Sequence, residues 1–525
     1  MLKDNKIWIA NTDLGENVFL LPKMANRHGL IAGATGTGKT VTLKVMAEAF
    51  SDLGVPVFMA DVKGDLSGMV LEGKDSEDMQ ERIRRFGLDE AGFNYQRYPA
   101  TFWDVFGKKG IPLRTTVSEM GPLLLARILG LNDLQRDILS IAFKIADDNE
   151  LLLVDTRDLK AILSYIAENN KEFAAEYGNM SKVSISAIMR AIVSLEIAGG
   201  DTFFFEPALN IQDWFIIGAG GKGMINILDS TSLINNGTLY ATFLLWMMSE
   251  LFETLPEVGD LDKPKMVFFF DEAHLLFKDT PKLLMDKIEQ VVKLIRSKGV
   301  GIYFVTQNPR DIPDGVLAQL GNKVQHALHA YTPSDMKAVK AAADSFRANP
   351  AFKTADAIQE LGTGEAICSF LDEDGTPTMC ERVRILPPQS YMGGIDDETR
   401  DKEIKGNILY GRYYEPYDPD SAYEFLERKG IADAEAAEKL RREEEERKAR
   451  EKEEAAALKA AQKEKEAAER RKKQTAKAVG NSVAGTVGRE VGKTVGGTFG
   501  KFGKTLGGNL GASLGRGILS TFFKS

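Results

Sequence analysis

GLIAGATGTGKT, residues 29–40, is the stretch on which the fold turns. Gly33, four further residues and then Gly38-Lys39-Thr40 make a complete P-loop pattern, preceded by an apolar run and followed by the helical run VTLKVMAEAF. Glycines let consecutive backbone N–H groups curl round phosphate oxygens, and a helix starting where the loop ends points its positive dipole end at the same place. Gly33, Ala34, Thr35, Gly36, Thr37 and Gly38 therefore form the candidate phosphate cradle. Lys39 is spaced to reach the β- and γ-phosphates, and the Thr40 hydroxyl to coordinate Mg2+.

Such a loop needs an acidic partner, and KMVFFFDEAH (265–274) supplies one. An uncharged apolar strand ends in Asp271-Glu272, and the expectation is that it lies beside the P-loop strand. Asp271 is then placed to hold the metal through water, and Glu272 to polarise an attacking water as a general base. ATP with Mg2+ is the ligand this pairing predicts. A second buried strand, VGIYFVTQNP (300–309), ends in Gln307; next to the Asp271 strand, that amide would sense the γ-phosphate or orient water. Arg296, in KLIRSKGVG, is either a plain surface arginine or a finger offered to a neighbouring subunit's phosphoryl group.

Working outward, residues 1–430 alternate short β-rich runs with helical patterns, which predicts a mostly parallel sheet covered by helices. Candidate strands are 29–32, 55–61, 223–228, 266–271, 301–306, 323–328, 365–370 and 378–385. Runs such as VPVFMAD and MVFFFD have the composition of strands buried on both faces. The β signal fades between 66 and 220, which reads as a mainly helical insertion into a core formed by 1–65 and 221–420. The most apolar stretch, TLYATFLLWMM (238–248), is closed by Glu250 and is far short of the ~20 residues that span a bilayer. A buried helix is expected there. The first residues, MLKDNKIWIAN, show no apolar core of a secretory signal.

The 525 residues are 43% apolar and 27% charged, which excludes a chain disordered throughout. Two cysteines, Cys368 and Cys380, are too few for a disulfide framework or a zinc site, and a reducing cytoplasm is the simplest setting. The net charge of −9 is unevenly spread: 1–432 carries −16, 433–475 carries +1 and 476–525 carries +6. An acidic body with a basic tail is not the profile of a protein that coats nucleic acid.

Residues 421–475 read as a charged helical spacer, rich in helix formers with opposite charges four apart. It has almost no apolar seam, so a single solvated helix is favoured over a coiled coil. Residues 476–525 carry a glycine repeat: Gly488, Gly492, Gly496 and Gly500, then Gly503, Gly507, Gly511 and Gly515. Two readings stay open there: a self-associating or membrane-surface segment docking to a partner or lipid, and a disordered basic tail.

On GATGTGKT (33–40), ADVKGDLSG (60–68), FFFDEAH (268–274) and FVTQNPRDIP (304–313), the chain resembles the HerA/FtsK superfamily of P-loop ATPases, more narrowly the bacterial HerA-like proteins of the YjgR type. The resemblance covers roughly 1–420 and implies a RecA-like α/β core, a hexameric ring and ATP-driven movement of a polymer, usually duplex DNA. It gives Lys39 and Thr40 the phosphate and Mg2+ roles, Asp271 the metal-associated acid, Glu272 the base, Gln307 the sensor and Arg296 the trans-acting arginine. Asp61, Lys63 and Asp65 match the motif that borders the nucleotide after the second strand. Two departures bear on the substrate. The core is acidic, and only 7–22 stands where archaeal HerA has a barrel-like domain.

Two functions compete. One is a cytoplasmic, ring-forming ATPase motor on nucleic acid; the other is an ATP-dependent switch or scaffold whose tail docks to a partner or a membrane surface, without translocation. A small-molecule kinase is disfavoured because no compact lid with clustered arginines stands out.

Overall fold

The computed structural model describes residues 1–235, 237–259, 261–277 and 282–479, so the glycine repeat lies outside the described residues. Packing divides the chain into two units, Met1–Asp147 with Leu151–Tyr423, and Asp148–Glu150 with Glu424–Ser525.

The first unit is built on one sheet. Its strands are β1 (Leu2–Lys3), β2 (Lys6–Thr12), β3 (Asn17–Leu20), β4 (Gly29–Ala32), β5 (Val57–Asp61), β6 (Ala100–Asp104), β7 (Ile111–Pro112), β8 (Ile225–Asp229), β9 (Met266–Phe270), β10 (Val300–Thr306), β11 (Asn322–Gln325), β12 (Glu365–Ser369) and β13 (Glu381–Ile385). Their order is β1-β2-β13-β12-β11-β4-β10-β9-β5-β8-β6-β7, with β3 paired to β2. From β11 to β7 every pairing is parallel. From β12 to β1 the pairings are antiparallel.

The MVFFF run of β9 shows why the sheet is covered on both faces. Phe268 and Phe270 point one way, and Phe268 lies 5.2 Å from Phe58, which stacks on Trp214 at 4.7 Å. Phe269 points the other way, to Tyr303 at 5.2 Å and Phe50 at 6.3 Å. Phe50 belongs to α1 (Lys39–Asp52), the helix that follows the P-loop. Alternate side chains of one strand thus enter two separate hydrophobic layers. The apolar stretch at 238–248 lies in the Gly237–Thr254 helix, where Leu239, Phe243, Leu244 and Met247 are buried. Among the described residues no helix is long and apolar enough to cross a membrane.

Two features depart from the sequence reading. The Asp271 strand, β9, does not pair with the P-loop strand β4; β10 lies between them, with Thr306 opposite Ala32 and Phe304 opposite Phe270. Periodicity predicts strands but not their order, which is set by crossover packing. Second, the sheet runs on through β6 and β7, inside the largely helical 66–220 stretch, and through the N-terminal hairpin β2–β3, which joins the far edge through β13. These strands are short or interrupted by polar residues, so their pattern is weak.

The Ala422–Val479 helix, 58 residues long, makes up most of the described part of the second unit. Residues 430–466 are exposed throughout. Their ion pairs run along the helix itself, Glu438–Arg442 at 2.6 Å and Glu444–Lys448 at 3.1 Å among them.

Candidate active site

Parallel pairing brings the C-terminal ends of β4, β10, β9 and β5 to one edge of the sheet, and the candidate residues lie on the turns that leave it. The P-loop spans Gly33 to Gly38 and ends at α1, whose N-terminus carries no side-chain cap. Gly33 (φ 153°) and Gly38 (φ 114°) take left-handed conformations. A Cβ on Gly33 would lie 2.5 Å from the Cβ of His326, so the site admits only glycine. Thr35 and Gly36 are exposed at the loop tip, Ala34 and Thr40 are half-buried, and Thr37 donates from Oγ1 to the Ala34 carbonyl at 2.7 Å. Lys39 folds back over the loop and donates from Nζ to the carbonyls of Gly33 (2.7 Å) and Ala34 (3.0 Å). Burial lowers its pKa, the nearby Lys63 adds to the effect, and Glu272 and Asp271 oppose it.

Asp271 and Glu272 follow β9 directly, and both are buried. Burial raises the Asp271 carboxyl to about 6; Glu272 and Asp65 push the same way, against Lys63. Glu272 sits at φ 47°, a conformation costing an L residue roughly 1–2 kcal/mol. Its carboxylate is gripped from both flanking strands. From the turn after β5, Lys63 Nζ approaches Oε1 at 2.7 Å; from the end of β10, Gln307 Nε2 donates to Oε2 at 3.2 Å. His274 Nδ1 is 3.3 Å from Oε2. Burial alone would raise the pKa of Glu272, but these partners hold it below the usual value.

Asp61 holds the turn that carries Lys63: its Oδ1 accepts from Gly64 N at 2.7 Å and its Oδ2 from Leu66 N at 3.1 Å. Burial, with Asp65 and Asp229 nearby, raises its pKa to about 7 despite those bonds. Arg296 stands apart. It is exposed at the turn before β10, at the opposite edge of the sheet from the loop of its own chain.

The structure gives Lys63, expected only to border the nucleotide, a specific partner in Glu272, and it adds one residue, His326, that the sequence did not point to. His326, fully buried beneath the P-loop, bonds through Nε2 to the Thr42 hydroxyl (2.8 Å) and through Nδ1 to the Glu365 carbonyl (2.9 Å). A carbonyl only accepts, so Nδ1 carries the proton and Nε2 accepts from Thr42. Burial lowers the His326 pKa to about 4 and keeps the ring neutral.

The donor set suits a hard divalent cation. Asp271 and Thr40 offer oxygen ligands, and among the described residues no group of three or more His, Cys, Asp or Glu forms a closed metal cage. One carboxylate, a hydroxyl, phosphate oxygens and water are what Mg2+ takes at phosphate sites.

The family described as helicase HerA-like C-terminal matches residues 6–505, running past residue 420, where the sequence resemblance was expected to stop. The chain is similar to the DNA double-strand break repair helicase HerA of Sulfolobus acidocaldarius, 24% identical over 362 residues, 67% of this chain and 65% of that protein. It is also similar to the protein of the same name from Saccharolobus solfataricus, 23% identical over 376 residues, 70% of this chain and 66% of that one. It thus spans a little under two thirds of the length of these relatives. Of solved structures, the bacterial conjugative coupling protein TrwBdeltaN70 aligns with a TM-score of 0.52 and 14% identity, covering 75% of this chain and 92% of that one. Plasmid coupling protein TrwB in complex with a non-hydrolysable GTP analogue aligns at 0.50 and 15%, with the same coverage. At these identities the likeness is one of fold.

Proposed function

The chain belongs to the helicase HerA-like C-terminal family, and from that premise we propose that it is an ATP-hydrolysing, ring-forming motor that acts on nucleic acid. The observation that carries the reading is the convergence, at one sheet edge, of an uncapped helix N-terminus with its lysine and of the buried Asp271-Glu272 pair, held between Lys63 and Gln307. In this reading the P-loop and Lys39 bind the phosphates, and Thr40 and Asp271 hold Mg2+, which neutralises charge on the phosphate oxygens. Glu272 accepts the proton of the attacking water and Gln307 orients that water. Arg296, remote from its own P-loop, acts on the nucleotide of the next subunit in a hexamer. DNA as the polymer comes from the HerA relatives, which are DNA double-strand break repair helicases by name. The cytoplasm is the compartment.

The acidic core favours a second reading, a nucleotide-driven switch or scaffold whose tail (476–525) docks to a protein or membrane surface. ATPase rates with and without duplex or single-stranded DNA at low salt, read beside the mass of the ATP-bound assembly, separate the two. A motor is stimulated by DNA; a rate indifferent to both forms sinks that reading. Lys39→Ala is expected to lose ATP binding or turnover. Glu272→Gln is expected to keep binding while hydrolysis falls by roughly 10²–10⁴-fold, the usual share of a general base.

A further inference from the structure

Lys63 and Lys39 both stand close to Glu272, and the Lys63 charge bears on Lys39; both amines rest on groups they would leave if a phosphate arrived. Lys39 lies on loop carbonyls, and Lys63 on Glu272 at 2.7 Å. The two ends of the Lys63–Glu272 pair differ: the lysine side chain is 41% exposed and the glutamate 6%. The lysine rides on a turn pinned at its base by Asp61 and opened by Gly64 at φ 80°, while its flexible stem leaves the ammonium free to swing. Glu272, by contrast, is fixed by its backbone conformation and by Gln307.

We propose that Lys63 is a positioning residue that reads the third phosphate: its ammonium latches the Glu272 carboxylate, and the γ-phosphate of a bound triphosphate draws it away. This deepens the ATPase reading and rests on it. The physical requirement is differential affinity, because a ligand shifts an equilibrium only by binding one arrangement better than the other. A triphosphate offers Lys63 an anion in competition with Glu272. A diphosphate, whose charge lies deeper in the P-loop, does not. Lys63 and Glu272 should therefore act in opposite directions on triphosphate affinity and leave diphosphate affinity alone.

The test is equilibrium binding of a non-hydrolysable ATP analogue and of ADP, each with Mg2+, to the full-length chain. Lys63→Met is expected to weaken the analogue about tenfold, within the usual range of coupling between sites, with ADP unchanged. Glu272→Gln removes the competitor, and is expected to tighten the analogue by a similar factor. The double variant should bind like Lys63→Met, and Lys63→Arg should keep the wild-type preference. Intact ADP binding also reports that each variant is folded. If Lys63→Met weakens both nucleotides equally, or Glu272→Gln leaves the analogue unchanged, the latch is wrong and the ATPase reading stands. If the wild-type chain binds neither nucleotide, both fall.

Discussion

Lys44 and Glu48 in α1, and Glu444 and Lys448 in the Ala422–Val479 helix, are the same two residue types at the same four-residue spacing, with opposite fates. The first pair is buried. Lys44 donates to the Tyr391 carbonyl, while Glu48 accepts from Gln389 N at 2.8 Å and from the backbone N–H (2.9 Å) and hydroxyl (2.5 Å) of Ser390. Burial lowers the pKa of the lysine and raises that of the glutamate. Among the described residues the second pair bonds along its own helix, at 3.1 Å, and both members are exposed. Eleven of the fourteen residues of α1 are buried, so tertiary contacts decide what its charges do. In the long helix the charges have solvent and each other, and the pairs supply the helix stability that packing does not.

That contrast can be broken at several points. Glu48→Ala should cost about 3–5 kcal/mol in denaturant unfolding, since it orphans buried donors and removes the strongest of the opposite charges bearing on Lys44. A cost below 1 kcal/mol would mean that the pair is not buried as described. His326 probes the same layer by pH. Its folded pKa of about 4 lies below the ordinary 6.5, so its neutral form favours folding above pH 6.5. That contribution is lost as pH falls toward 4, and wild type should lose about 3 kcal/mol relative to His326→Gln between pH 7 and pH 4. A difference that stays flat with pH would show that the ring is not held neutral beneath the loop. The smallest effect belongs to the exposed pair. Glu444→Ala should lower helicity slightly, by about 0.3–0.5 kcal/mol, and high salt should erase the difference. A large, salt-independent loss would point to a packed partner for this helix.

The same reasoning explains which parts of the site were legible. The P-loop could be read because its spacing is a local geometric requirement: glycines where the backbone turns left-handed, then Lys39 and Thr40 at the helix start. Asp271 and Glu272 could be read because an uncharged strand ends in two acids. Lys63 could be placed near the nucleotide by its motif but not paired with Glu272, 209 residues away, and no pattern connects His326 to Lys39, 287 residues away. The long helix was legible because its stabilising pairs are four residues apart.

By itself, then, the sequence determined the α/β class, the P-loop pattern, the acidic pair and the solvated helix, all of which depend on neighbours within a few residues. Tertiary structure alone decided that β10 separates the loop strand from the acid strand, that Glu272 is held by Lys63 on one side and Gln307 on the other, and that Lys44 and Glu48 are buried. The physical reason is common to all three. Strand order and the environment of a charge depend on which distant surfaces are packed together, and hydrophobic burial, which is non-directional, selects those surfaces without a local signature.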